Sequence, residues 1–110
     1  MNMIDEEIAN SFLFLDAAIK NLLYDLKCIS NSPIKIKSHY ISYIEEKLSK
    51  SRFKMNKIKK EMHDRNIQVI HIGNYHMFSV YQYILGNYEK EISYHKSVIK
   101  KNVEQIIHTL

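Results

Sequence analysis

The sequence predicts an α+β fold: a long antiparallel helical hairpin, a β-hairpin over about residues 67–72 and 75–84, and a C-terminal helix. Three observations carry this. Two long segments repeat apolar residues in steps of three and four. Residues 67–84 crowd β-branched and aromatic side chains around Gly73-Asn74, a two-residue loop of the hairpin type. Helical spacing returns after Gly86-Asn87.

The first helix is expected over about residues 3–30. Ile8, Phe12, Leu15, Ile19, Leu22, Leu26 and Ile29 form its seam, and Phe14, Ala18 and Leu23 widen the stripe. Asp5, Glu6 and Glu7 sit where the helix dipole favours negative charge. Ser30-Asn31-Ser32-Pro33 then interrupts the pattern, with Ser32 a candidate cap and Pro33 a candidate first helical residue. The second helix is expected over about residues 33–64, on a seam of Ile41, Ile44, Leu48, Ser51, Met55, Ile58 and Met62. Tyr40, Tyr43 and Phe53 lie off that seam, and Phe53 faces away from it. The short link makes the two helices antiparallel.

Closing the hairpin at Gly73-Asn74 sets Ile72 against Tyr75, His71 against His76, Ile70 against Met77, Val69 against Phe78 and Ile67 against Val80. One face would carry Ile67, Val69, His71, His76, Phe78 and Val80, the other Ile70, Ile72, Tyr75, Met77, Tyr81 and Tyr83. Both faces are apolar, so helices must cover one and further protein the other, most simply a second copy of the chain. The last helix is expected over about residues 88–109, on Tyr88, Ile92, His95, Ile99, Val103, Ile106 and Leu110. The alternative is an all-α bundle, because Phe78, Tyr81, Leu85, Tyr88 and Ile92 also fit helical steps. Residue type favours strands there: no Ala, Leu, Glu or Lys occurs from Tyr75 until Leu85.

A chain of 110 residues fits a single domain, 1–110. The acidic start is unlike a signal peptide, and no apolar run nears the roughly 18 residues of a membrane helix. Cys28 is the sole cysteine, which excludes an internal disulfide and fits a reducing compartment. A cytoplasmic protein is expected. The abundance of Ile, Lys, Asn and Tyr over Ala and Gly suits an AT-rich coding genome, here read as bacterial or phage-type.

Residues 1–32 carry −3, residues 33–65 carry +6 and the remainder +1. Lys47, Lys50, Lys54 and Lys57 make one basic stripe on the second helix, extended by Arg52, Lys59 and Lys60. Such a stripe can track phosphates, though a solvated face complementing an acidic neighbour is the plainer explanation. His71 and His76 are the only potential metal pair, short of the three or four ligands a site needs, with His63 the nearest other candidate. Tyr75, Tyr81 and Tyr83, with Tyr40, Tyr43, Tyr88 and Tyr94, suit either an interface or a tyrosine-rich core.

No catalytic motif appears, and the two glycines make no phosphate loop. The sequence therefore points to a non-enzymatic interaction or regulatory module, homodimeric and with a further, unidentified protein partner, and without cofactor, metal, membrane or small-molecule substrate. Its expected contacts are Phe53, Ile70, Ile72, Tyr75, Met77, Tyr81 and Tyr83. The alternatives are a nucleic-acid-binding regulator using Lys47, Lys50, Lys54 and Lys57, and an immunity or inhibitor protein on the all-helical variant of the fold.

Overall fold

A computed structural model describes residues 3–110; Met1 and Asn2 of the acidic start lie outside the described residues. The element order is α1 (Met3–Ser30), α2 (Ser38–Asp64), β1 (Ile67–Tyr75), β2 (Phe78–Leu85), β3 (Tyr88–His95) and α3 (Lys96–Thr109). The α+β class holds and the all-α bundle is excluded. The expected hairpin has gained a third strand, in an antiparallel sheet ordered β1-β2-β3.

The helices α1 and α2 pair antiparallel: Leu13 shares a cluster with Met62, while Leu22 shares another with Leu48 and Ile44. The α2 seam buries as its spacing demands, at Ile44, Leu48, Ser51, Met55 and Met62. Ser51 is fully buried and satisfies its hydroxyl on the Leu48 carbonyl at 2.8 Å. On α1, Leu15, Ala18 and Leu22 bury as expected, but so do Ala9 and Leu13, which lie off the seam. These two meet Ile67, Tyr83 and Leu85, so α1 has a second contact face, turned to the sheet.

The second helix starts at Ser38, not near residue 33. Ser32 is spent on closing α1: its backbone N–H and its hydroxyl both donate to the Ile29 carbonyl. Pro33 to Lys37 consequently form an irregular loop. The C-terminus of α2 falls where the Asp64-Arg65-Asn66 punctuation put it, with Asn66 taking a left-handed φ of 56°.

The hairpin loop is His76-Met77, not Gly73-Asn74. Tyr75 pairs with Phe78, Asn74 with Ser79 and Gly73 with Val80, and a bulge at Ile72 absorbs one residue. The register therefore sets Ile67 against Leu85, Val69 against Tyr83, Ile70 against Gln82 and His71 against Tyr81. His71 and His76 do not oppose each other. One contact from the start of α3 and two local features hold this turn. The Lys96 N–H donates to the Met77 carbonyl at 2.8 Å, the Ser79 hydroxyl donates to Asn74 Oδ1 at 3.0 Å, and His76 accepts a φ of 53°.

Tyr88–His95 is strand, not the first part of the last helix. Gly86, at φ 66°, closes a second two-residue hairpin with Asn87, and Leu85 pairs with Tyr88. Tyr88 and Ile92 are four residues apart, a spacing that suits a strand face as well as a helix face. The helix α3 begins after His95, whose Nδ1 accepts from the Ser97 N–H at 3.1 Å. Its apolar side runs along α1, where Ile106, Ile107 and Leu110 join Leu22 and Ile44.

The result is two layers, the α1–α2 hairpin in one and the sheet followed by α3 in the other, with extents of 53 × 32 × 19 Å. The two glycines should respond differently to substitution. Gly73 has open space where a Cβ would go and no positive φ, so Gly73→Ala should leave stability within about 0.5 kcal/mol. Gly86→Ala must force a side chain into the left-handed region and should cost about 1 kcal/mol. Urea unfolding of both variants measures the contrast.

Candidate interaction surfaces

The sheet's inner face is fixed by one stripe of α1. Glu6, Asn10 and Phe14 recur at intervals of four, so they stand above one another on the helix. Glu6 accepts from Lys90 Nζ at 2.7 Å. Asn10 Oδ1 accepts from the Tyr83 hydroxyl at 2.6 Å and from the Tyr94 hydroxyl at 2.9 Å. Phe14 meets the Tyr94 ring edge-on at 5.1 Å. Asp5 and Arg65, 3.0 Å apart, tie the start of α1 to the end of α2. Burial pushes the Tyr83 hydroxyl far above its ordinary value of 10.0, and neighbouring Tyr94 adds to the rise. Burial raises Tyr94 too, and the hydrogen bond to Glu6 raises Lys90.

This network corrects the expected contact face. Tyr83 is 0% exposed and Tyr81 packs partly buried against the same core, so both belong to the inner face and neither joins Ile70. Strand alternation across the observed register puts Gln68, Ile70, Tyr75, Phe78, Val80, Gln82, Ile84, Glu89, Glu91, Ser93 and His95 on the outer face. No helix among the described residues covers that side. Ile70, Ile72, Tyr75, Met77 and Phe78 are all exposed, Tyr75 to 68%, and they run from the middle of β1 to the β1–β2 turn. The outer face is therefore apolar at this turn and mixed beyond it, where Gln82 and Glu91 lie beside Ile70 and where Gln68 and Glu89 flank Ile84, rather than apolar throughout.

The histidines are dispersed. His71 lies beside Asn74 (Nε2 to Oδ1, 3.3 Å) and Tyr81, His76 packs edge-on to Tyr75, and His95 packs edge-on to Phe78. Among the described residues, no group of three or more His, Cys, Asp or Glu is placed to hold a metal ion. Cys28 is exposed on α1 and lines a groove of about 300 Å³ with Leu22, Ile29, Tyr40, Ile44 and Ile107.

The basic stripe is partly engaged. Lys47 donates to the Leu110 carbonyl oxygen and stands 5.4 Å from the Tyr43 ring centre. Lys50 pairs with Glu46 at 3.2 Å. Lys57 sits 4.5 Å over the ring of Phe53, which is 63% exposed, and Lys54 is exposed beside it. No helix among the described residues is long and apolar enough to cross a membrane.

The sequence matches the family model described as YhjD protein over residues 2–110. The chain belongs to the YhjD family. A relative from Bacillus subtilis (strain 168), described as uncharacterized protein YhjD, is 27% identical over 95 residues. The match spans 86% of this chain and 79% of that one. No solved structure matches. Membership in the YhjD family gives descent; what the chain does must be argued from its surfaces.

Sequence reasoning missed Asn10, Ala9 and Leu13, all on the sheet-facing side of α1. The Glu6-Asn10-Phe14 spacing was visible, but a polar residue at such a position reads as solvent-facing until the tyrosines opposite it are known. The buried hydroxyls carry a pH signature. Below about pH 10 Tyr83 is neutral in the folded and unfolded chain alike; above it the unfolded chain loses the proton and the native chain keeps it. Stability should thus fall as pH rises past 10, by up to about 1.4 kcal/mol per pH unit from this group. Urea unfolding across that range should give a shallower alkaline slope for Tyr83→Phe, which should cost about 1 kcal/mol at neutral pH.

Proposed function

We propose that the chain is a non-enzymatic protein-interaction module of the cytoplasm that works as a homodimer through the outer face of its sheet. The observation that carries this reading is the exposed apolar group at the β1–β2 turn: Ile70, Ile72, Tyr75, Met77 and Phe78. A three-stranded sheet covered by helices on one side only leaves these side chains to solvent, and contiguous exposed apolar side chains mark contact surfaces. Tyr and Phe with a Met beside them are the residue types that concentrate in such interfaces. His76 and His95 flank the group and pack on its rings, giving it a polar rim.

The nucleic-acid reading has less support. Lys47 and Lys50 already have partners, and the ammonium over Phe53 occupies the ring face a base would stack on. The inhibitor reading was tied to an all-helical chain, a premise the three-stranded sheet removes.

Size exclusion with light scattering tests the proposal. The native chain should run as a dimer at micromolar concentration. Phe78→Glu and Ile70→Glu should each raise the dissociation constant by at least about tenfold while leaving the circular dichroism spectrum unchanged. A native chain that stays monomeric at high concentration would sink the homodimer.

A further inference from the structure

The exposed side of α2 is a second surface, remote in character from the outer sheet face. From Lys47 to Lys60 the helix carries seven bases and no acid. Two large aromatics lie among or next to them, Tyr43 and Phe53, both exposed although their helix buries its apolar seam in the core. Phe53 stands between two shallow grooves of about 460 and 490 Å³, lined by Lys50, Lys54 and Leu110 on one side and by Leu23, Leu26 and Arg52 on the other. The Pro33–Lys37 loop leads into the N-terminus of α2, and there Ile34 and Ile36 are exposed and alternate with Lys35 and Lys37. Between Asp25 and Glu45 there is no acid at all.

We infer that this side of the molecule rests on an anionic lipid bilayer, with Phe53, Tyr43 and the Ile34–Ile36 loop at the headgroup level and Lys54, Lys57 and Lys60 against lipid phosphates. The chemistry favours a bilayer over the other polyanion, nucleic acid. Lysines seated on the aromatic ring faces block base stacking but suit an interface, where the ring edge partitions and the ammonium stays at the phosphates. The exposed aliphatic side chains of the loop have no use against a phosphodiester backbone, while in a headgroup layer they gain an apolar environment. The bases are overwhelmingly lysine, which serves as a point charge and not as the planar fork that reads bases. With no membrane-crossing helix among the described residues, the attachment is peripheral, weak and salt-sensitive.

This inference does not depend on the homodimer, which uses the opposite layer. Co-sedimentation of the full chain with phosphatidylglycerol/phosphatidylcholine vesicles, against phosphatidylcholine alone, tests it. Binding should require the anionic lipid, and vanish near 1 M salt, where the Debye length is about 3 Å. Lys54→Glu with Lys57→Glu should lower the bound fraction at least about tenfold. Phe53→Ser, which keeps every charge, should lower it about threefold, a loss that pure electrostatic adsorption would not show. Phe78→Glu, which leaves α2 untouched, should still require the anionic lipid for binding, and circular dichroism confirms that each variant is folded. Equal binding to neutral vesicles, undiminished binding of the charge-reversed variant, or retention on single-stranded DNA or RNA without any on anionic vesicles would each overturn the inference.

Discussion

The architecture turns on one oxygen. Asn10 Oδ1 accepts from the hydroxyls of Tyr83 and Tyr94, which lie on neighbouring strands, so a single helix side chain holds β2 and β3 against α1 together. Tyr83 has no exposure, and a hydroxyl so placed costs free energy unless it donates to something. Slipping the sheet by one residue would turn the hydroxyl outward and bring Gln82 or Ile84 against Ala9 and Leu13. The two alanines of α1 that are wholly buried, Ala9 and Ala18, let its neighbours approach closely, and the Glu6–Lys90 pair at the edge of the junction adds direction more than strength.

Once the inner face is fixed, so are the uncovered ones. A molecule only 19 Å thick has room for two layers, and each must show one side to its surroundings. The sheet layer shows the apolar group around Tyr75 and Phe78, with Glu89 and Glu91 farther along the same face. The helical layer shows the basic side of α2 around Phe53. The charge imbalance along the chain thus lies within the helical layer, where the basic side of α2 runs beside the more acidic α1.

The parts legible in the sequence were those set by local periodicity. The α2 seam, the antiparallel helical pair and the outward Phe53 all follow from steps of three and four. What escaped was set by partners distant in sequence. Tyr88 and Ile92 satisfy helix and strand spacing alike; only Gly86 in a tight turn and the ladder to β2 decide for strand. Gly73-Asn74 has the composition of a hairpin loop, yet β3 and the start of α3 hold the turn at His76-Met77. Gly73 instead pairs with Val80 beside the bulge, in a conformation any residue adopts. That shift of the loop moved Tyr81 and Tyr83 to the inner face and separated His71 from His76, so the expected aromatic face divides: Ile70, Ile72, Tyr75 and Met77 are exposed and the two tyrosines of β2 are not.

The same register bears on how copies of the chain can meet. An open sheet offers two edges as well as a face, and sheet extension along an edge is the commoner hazard. Here β1 and β3 are the edges. The Ile72 bulge breaks the row of donors and acceptors on β1, and Glu89-Lys90-Glu91 puts three consecutive charges on β3. Both devices discourage strand addition. The apolar side chains near the turn project from the face, where neither device protects them, and packing there leaves the backbone ladder untouched. Association through the face therefore asks only that side chains be covered, whereas association through an edge would have to straighten a bulge or bury a run of charge.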